Sequence, residues 1–250
     1  RDMMRMMAIV AGGKEEMRRR PMFFAICSVG SPLQMLQMQL EGLLICADYG
    51  QPLAMSPEAI AGATAPVTLA GLLAQQNANI LAHITLAQVY RPGTPVLYGT
   101  VSTIANMRLG TVALGAVETG LITAGAAQMA RYYGLPAEAS GIGTDHHVPG
   151  IQAGYERAMG GMLPALSWPD ILVGPGLLGG SMILCFEQLM IDVEVFRMCK
   201  RARQGIAVAE DKWLDEVIDS VQPGGHYLAE MSTVENIRSG EWYISKLGVH

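Results

Sequence analysis

Pro21-Met22-Phe23-Phe24-Ala25-Ile26-Cys27-Ser28-Val29 is a short apolar stretch that opens with a proline, and similar runs recur along the chain. Proline at the start of a strand removes no hydrogen bond that a sheet needs. Each run therefore predicts one buried strand. The other four runs are Leu53 to Met55 after Pro52, Val96 to Tyr98 after Pro95, Ala137 to Ile142 after Pro136, and Ile171 to Val173 after Pro169.

Longer stretches with helical periodicity separate these strands. Ser31-Pro32 is typical of an N-cap followed by proline at the first helical position, while Gly50 and Gly134 stand where a left-handed residue ends a helix. Met3 to Arg20 predicts a further helix ahead of the first strand. The alternation of strand and helix predicts βαβ units and a parallel sheet.

We expect these units to form one α/β domain over residues 1–250, a partial TIM-type (β/α) barrel. A complete barrel has eight strands, and five are predicted here with a sixth near Tyr227-Leu228, so we expect the N-terminal strands to be missing. Open sheet edges favour association, so we expect self-association into a homo-oligomer. A doubly wound nucleotide-binding sheet is the alternative, but neither Gly30-Ser31-Pro32 nor Gly141-Ile142-Gly143-Thr144 completes the dinucleotide pattern.

Composition and charge exclude several classes of protein. Half of the residues are hydrophobic and 16% are charged, as expected for a sheet covered on both faces. A net charge of −5 gives no basic surface for nucleic acid. No apolar run is long enough to cross a bilayer, and the first residues lack the order of a signal peptide. We therefore expect a cytoplasmic protein with no nucleic-acid or membrane partner.

The four cysteines predict buried, reduced thiols. They stand inside apolar stretches without the close pairing of a structural zinc site, so no metal site is predicted from them. They are Cys27, Cys46, Cys185 and Cys199.

One loop is dense in ionisable groups. Thr144-Asp145-His146-His147-Val148-Pro149-Gly150-Ile151-Gln152 directly follows the fourth predicted strand. In parallel barrels, catalytic groups gather in the loops after the C-terminal ends of the strands. Asp145, His146, His147 and Gln152 are therefore candidate site residues; a capped helix start with solvated histidines is the alternative. Adjacent histidines point apart, which argues against a metal site.

Tyr98 is a fifth candidate, because it closes the strand Val96 to Tyr98. A ring at the barrel mouth could bind a cationic ligand through its face. Ordinary packing inside the barrel is the alternative interpretation of the same residue.

Several strings together resemble the trimethylamine methyltransferase family, and the match spans most of residues 20 to 245. Thr144-Asp145 and Gln152-Ala153-Gly154 fit the family pattern, whereas Gly150 stands where a second acid is expected, which leaves the amine open. The strings are Gly62 to Gly71, Pro95 to Gly99, Gln128 to Pro136, Gln152 to Glu156, Glu187 to Leu189, and Pro223 to Leu228.

The resemblance implies a barrel enzyme that moves a methyl group from a methylated amine to the cobalt of a separate corrinoid protein. The corrinoid would be carried by that partner, and this chain would bind no cofactor of its own. Some family members carry pyrrolysine, whereas relatives without it use quaternary amines such as glycine betaine. No non-standard residue stands in this sequence, so the second branch is favoured.

In that reading Asp145 and His147 are the catalytic residues, and Tyr98, His146 and Gln152 bind the substrate. The chain would supply positioning and electrostatic stabilisation, with Asp145 near the cationic nitrogen. A different class remains open: Asp145-x-His147-x-x-Gly150 spells the signature of a corrinoid-binding carrier, in which a histidine replaces the lower ligand of cobalt. No downstream Ser and Gly-Gly elements complete that signature.

Overall fold

A computed structural model describes residues 2–248, which form helices and short strands in alternation. The helices are α1 (Asp2–Ala11), α2 (Lys14–Arg19), α3 (Gln37–Asp48), α4 (Leu69–Tyr90), α5 (Val117–Tyr132), α6 (Ile151–Leu166), α7 (Phe186–Gln204), α8 (Asp215–Ser220) and α9 (Met231–Ser239). The strands are β1 (Ala25–Val29), β2 (Leu53–Pro57), β3 (Ile60–Ala61), β4 (Val96–Tyr98), β5 (Thr103–Asn106), β6 (Thr111–Ala113), β7 (Glu138–Ser140), β8 (Ile171–Val173), β9 (Leu177–Leu178) and β10 (Ile183–Leu184).

The five predicted strands pair in parallel and in chain order. β1 pairs with β2 and β2 pairs with β4, with Leu53 opposite Val96. A single parallel bridge between Tyr98 and Ala137 connects β4 to the β7 segment, and β7 pairs with β8. Helices α3, α4, α5 and α6 connect successive strands of this order. The sequence prediction of βαβ units is confirmed, although the strands within residues 2–248 do not close a barrel.

Pairing between β2 and β4 continues past the ends of both strands. The N–H groups of Gly99, Val101 and Thr103 donate to carbonyls of Met55, Pro57 and Ala59. β3 then pairs with β5 in parallel, and β5 with β6 in antiparallel orientation. These short strands lie beyond the C-terminal ends of β2 and β4, on the side of the sheet where ligands bind in parallel folds.

Three predictions about secondary structure were wrong: the start of one helix, the continuity of another and the presence of a sixth strand. The helix after β1 begins at Gln37, six residues after Ser31, so Ser31 does not cap it. The hydroxyl of Ser31 instead accepts a hydrogen bond from Asn79 Nδ2 at 3.5 Å. The predicted helix Met3 to Arg20 is broken at Gly12-Gly13, where both residues have positive φ. The sixth strand is absent from the described part of the chain, because Tyr227-Leu228 lies between α8 and α9 without a neighbouring strand to pair with.

The helix ends at Gly50 and Gly134 were predicted correctly. Both glycines adopt positive φ directly after a helix, at +65° and +66°. All five residues of β2 are buried, as a sheet covered on both faces requires. Cys27, Cys46 and Cys199 are buried free thiols, whereas Cys185 is partly exposed and so differs from the predicted core position.

No helix in residues 2–248 is both long enough and apolar enough to span a membrane.

Candidate functional site

A cavity of about 240 Å³ lies at the C-terminal ends of β7 and β8. The carboxyl ends of parallel strands meet at one edge of a sheet, which is where ligands bind in such folds. The lining is mostly apolar, with three hydroxyl groups, and it also includes residues of β1, β9, α5 and α6. The residues in or just after β7 and β8 are Ser140, Gly141, Ile142, Gly143, Val173 and Gly174.

Ile142 lines this cavity in a strained conformation. It is fully buried and has φ of +40°, a left-handed backbone that costs a β-branched residue about 1–3 kcal/mol. Its side chain fits because Gly161 on α6 has none, and a Cβ there would stand 2.8 Å from Ile142 Cγ2. Its carbonyl accepts a hydrogen bond from Arg157 Nη1 at 2.9 Å. Strained residues cluster at functional sites.

Glu156, in the first turns of α6, organises the start of the predicted loop. Its carboxylate accepts hydrogen bonds from Thr144 Oγ1 at 2.5 Å, from the N–H of Asp145 at 3.1 Å and from Gln152 Nε2 at 2.8 Å. The carboxylate packs against Gly115, where an added Cβ would stand 2.4 Å from it. Only 9% of Glu156 is exposed.

Asp145 lies beside Glu156 and completes a pair of acids. Its carboxylate accepts the N–H of Leu114 at 2.9 Å and that of Gly115 at 3.2 Å. Burial raises the pKa of Asp145, and the neighbouring Glu156 charge raises it further, while the two backbone donors oppose the rise. Leu114 itself lines the cavity, so the pair stands directly behind the cavity wall.

The acid pair forms no salt bridge in the described part of the chain, although the guanidinium of Arg157, which is paired with Asp192, is near enough to interact electrostatically with Glu156. No Lys, Arg or His nitrogen of residues 2–248 lies within 4.0 Å of either carboxylate. Negative charge on one buried and one partly buried carboxyl, next to an apolar cavity, favours the binding of a cation.

The two histidines occupy different environments. His146 Nδ1 lies 2.7 Å from the carbonyl oxygen of Val148, which can only accept, so Nδ1 carries a proton. His147 is exposed, and its ring lies against Gly179 in the turn between β9 and β10. The N–H groups of Gly179 and Gly180 donate to the carbonyls of His146 and Thr144, which fastens this turn to the loop.

The structure therefore brings four of the five sequence candidates, Asp145, His146, His147 and Gln152, onto one loop and helix start. It does not bring Tyr98 to them. Tyr98 is fully buried, its hydroxyl donates to Asn77 Oδ1 at 3.0 Å, and its ring stacks on Tyr133 with centroids 6.1 Å apart. This geometry corresponds to the packing alternative, so Tyr98 is left out of the proposed site.

Sequence reasoning also missed the buried carboxyl of Glu138. Glu138 on β7 is 1% exposed, and its Oε2 accepts a hydrogen bond from Ser56 Oγ of β2 at 2.7 Å. The hydrogen bond requires a glycine at position 99, because a Cβ there would stand 2.2 Å from Ser56 Oγ. Burial raises the pKa of Glu138, which favours the neutral acid. A charged residue inside the predicted strand Ala137 to Ile142 was the available signal.

A family model described as trimethylamine methyltransferase matches residues 1–248. The chain belongs to the trimethylamine methyltransferase family. A trimethylamine methyltransferase of Methanosarcina acetivorans is 39% identical over 226 residues, which cover 90% of this chain and 46% of that protein. One from Desulfitobacterium hafniense is 36% identical over 239 residues, covering 96% and 48% of the two chains. The resemblance drawn from the sequence strings is thus confirmed.

A glycine betaine methyltransferase from Desulfitobacterium hafniense is also similar, with 35% identity over 236 residues, 94% of this chain and 49% of the relative. Relatives named for a tertiary and for a quaternary amine are therefore about equally similar to this chain. The chain spans about half the length of the curated relatives it matches.

Family membership also bears on the carrier alternative. The family model that matches nearly the whole chain is that of a methyltransferase. The cavity of about 240 Å³ lies below the range of ~300–1,000 Å³ that encloses drug-sized ligands, so it does not surround a macrocycle the size of a corrinoid. Within residues 2–248, no group of three or more His, Cys, Asp or Glu side chains is arranged to hold a metal ion.

Proposed function

We propose that the protein transfers a methyl group from a small methylated amine to the cobalt of a corrinoid carried by a separate protein. Family membership supports the reaction class. The observation that carries the proposal is the pair of acids Asp145 and Glu156, which lies behind an apolar cavity and forms no salt bridge with any residue of 2–248. Negative charge and apolar lining together suit a cation whose nitrogen is covered by methyl groups.

The chain's own residues would bind and orient this substrate. Each methyl group buried against the cavity lining stabilises binding by ~0.8 kcal/mol. The two carboxylates balance the positive charge on nitrogen and direct it toward the wall formed by Leu114 and Gly143. The corrinoid of the partner would supply the methyl acceptor. Orientation of the reacting methyl group toward the open side of the site is the contribution of this chain.

We further propose that a betaine-type quaternary amine is preferred over trimethylamine. A quaternary ammonium releases a neutral amine when it loses a methyl group, so the site needs recognition of a cation and no proton donor. His146 could meet the carboxylate of a betaine only through Nε2, because Nδ1 is engaged with Val148. Nε2 donates only in the imidazolium form, since the neutral ring has its proton on Nδ1.

Methyl transfer measured with the full-length protein tests both proposals. The reduced corrinoid partner protein is supplied, and demethylation of glycine betaine and of trimethylamine is followed in parallel. We expect faster turnover of glycine betaine. Equal or faster turnover of trimethylamine would contradict the substrate preference and leave the reaction class intact. No transfer from either amine would contradict the proposed function itself.

Substitutions in the loop test the site. We expect Asp145→Asn and His147→Ala to lower methyl transfer while the circular dichroism spectrum and the melting temperature stay near those of the wild type. Wild-type rates in both variants would contradict the assignment of the loop as the site. Cobalamin binding by the protein without its partner, abolished by His147→Ala, would instead support the corrinoid-carrier alternative.

A further inference from the structure

A buried ion pair joins the two helices behind the candidate cavity. Arg157 of α6 and Asp192 of α7 are both fully buried, and Arg157 Nη1 lies 2.5 Å from Asp192 Oδ2. Removing two charges from water costs several kcal/mol per ion, and a buried pair often contributes less to stability than apolar residues of the same volume. Stability alone is therefore a weak explanation for this pair.

Each member of the pair also binds backbone that forms the cavity. Arg157 donates from Nη1 to the carbonyl of Ile142 at 2.9 Å and from Nη2 to the carbonyl of Leu177. Asp192 Oδ2 accepts the N–H of Gly176 at 2.6 Å. Ile142 follows β7, whereas Gly176 and Leu177 follow β8, so the pair connects the ends of both strands.

The shape of the cavity depends on the distance between the chain segments that follow β7 and β8 and on their relative orientation. Ile142 and Leu177 both line it, and Ile142 is held at a positive φ that an isoleucine does not favour. If the guanidinium of Arg157 is removed, the buried carbonyl of Ile142 loses the hydrogen bond that it accepts from Nη1 at 2.9 Å. The strained backbone at Ile142 then loses a contact that holds it in place. Gln188 fixes the other side of the pair by donating to Asp192 Oδ1 at 2.8 Å.

We propose that Arg157 and Asp192 are positioning residues that hold the strand ends after β7 and β8 in register and so set the shape of the substrate cavity. The pair does not reach the cavity lining with its own charged atoms; it acts through the backbone of Ile142, Gly176 and Leu177. The expected effect on amine binding rests on the proposed function, whereas the effect on the two backbone segments does not.

Three variants of the full-length protein separate positioning from simple stabilisation. Asp192→Asn removes the charge, and Arg157→Lys keeps a cation that cannot reach both carbonyls at once. The double change Arg157→Met with Asp192→Leu replaces the pair by apolar side chains, which often restores or raises stability. Glu194→Gln is the matched control: it alters another buried carboxylate of α7, one that binds Tyr243 and Lys246 away from the cavity.

Two measurements are made on each folded variant. Titration calorimetry with tetramethylammonium chloride gives the affinity of the cavity for a methylated cation, and hydrogen exchange reports the protection of residues 141–145 and 174–180. We expect at least a tenfold weaker affinity and faster exchange in both segments for Asp192→Asn and for the apolar double variant, and a smaller change for Arg157→Lys. Glu194→Gln should leave both readouts unchanged even if it lowers the melting temperature.

Wild-type affinity and wild-type hydrogen exchange in the apolar double variant would overturn the proposal. Apolar side chains of similar volume would then hold the two strand ends as well as the ion pair does. If the double variant does not fold, the same two results in Arg157→Lys and Asp192→Asn overturn it. If the wild type binds no methylated cation but both segments still exchange faster in the variants, the positioning role stands and the proposed function fails.

Discussion

Replacing Glu156 by glutamine removes one negative charge from the candidate site and keeps its shape. The carboxylate accepts hydrogen bonds from Thr144 Oγ1, the N–H of Asp145 and Gln152 Nε2. The oxygen of the introduced amide can keep the first two, and its NH₂ group can donate to Gln152 once the Gln152 amide is flipped. Three contacts therefore survive, and the charge is the main change.

The expected loss of affinity follows from the position of Glu156 behind the cavity wall. An ammonium ion in the cavity would lie ~6–8 Å from the carboxylate, which at an effective dielectric constant of about 20 corresponds to roughly 2–3 kcal/mol. Affinity for a methylated cation should therefore fall about 30- to 150-fold. The free energy of unfolding should change by less than ~1.5 kcal/mol, since only the charge assistance of the hydrogen bonds is lost.

A second effect appears in the pH dependence of binding. The Glu156 charge contributes to the raised pKa of Asp145, after burial, so its removal moves that pKa down toward the ordinary range. Asp145 then stays ionised to lower pH. In the Glu156→Gln variant, cation affinity should accordingly be lower at neutral pH but should persist to a more acidic pH than in the wild type.

Titration calorimetry with tetramethylammonium across a pH series measures both effects in the full-length protein. Glu41→Gln is the matched control, because Gln37 donates to Glu41 at 2.9 Å across the same four-residue helical spacing on an exposed face of α3. An affinity within threefold of the wild type in Glu156→Gln would refute the role of the acid pair in cation binding. An unchanged pH profile would refute the coupling between Glu156 and Asp145.

Three further predictions test the site and its surroundings. In the wild type, tetramethylammonium affinity should fall as the pH drops through the raised pKa of Asp145, above the usual value of ~3.9, because the protonated acid carries no charge; a constant affinity down to that value would contradict this. Gly99→Ala should lower the free energy of unfolding by ~1–3 kcal/mol, since its Cβ would stand 2.2 Å from Ser56 Oγ, and chemical denaturation measures this. Tyr98→Phe should cost ~1–3 kcal/mol of stability by leaving Asn77 Oδ1 without its donor, with unchanged cation affinity; a clear loss of affinity would return Tyr98 to the substrate site.

The sequence by itself determined the order of the five parallel strands with the helices between them, and the location of the loop. The strands Val96–Tyr98 and Ile171–Val173 have the predicted bounds, because a proline start and a short apolar run are local properties of the chain. The left-handed helix ends at Gly50 and Gly134 are local for the same reason. Family strings such as Gln152 to Glu156 were also readable without coordinates, and the family match confirms them.

Only the tertiary structure decided which side chains meet. Ser56 and Glu138 are 82 residues apart, and Arg157 and Asp192 are 35 apart, so each contact depends on the pairing of distant strands or the packing of two helices. Tyr98 faces Asn77 and Tyr133 in the core because successive side chains of a strand alternate between its two faces, and the sequence does not say which face is which. The acid pair arises in the same way: the start of α6 places Glu156 next to Asp145, and the folded chain brings Leu114 and Gly115 against them to supply the donors that hold it.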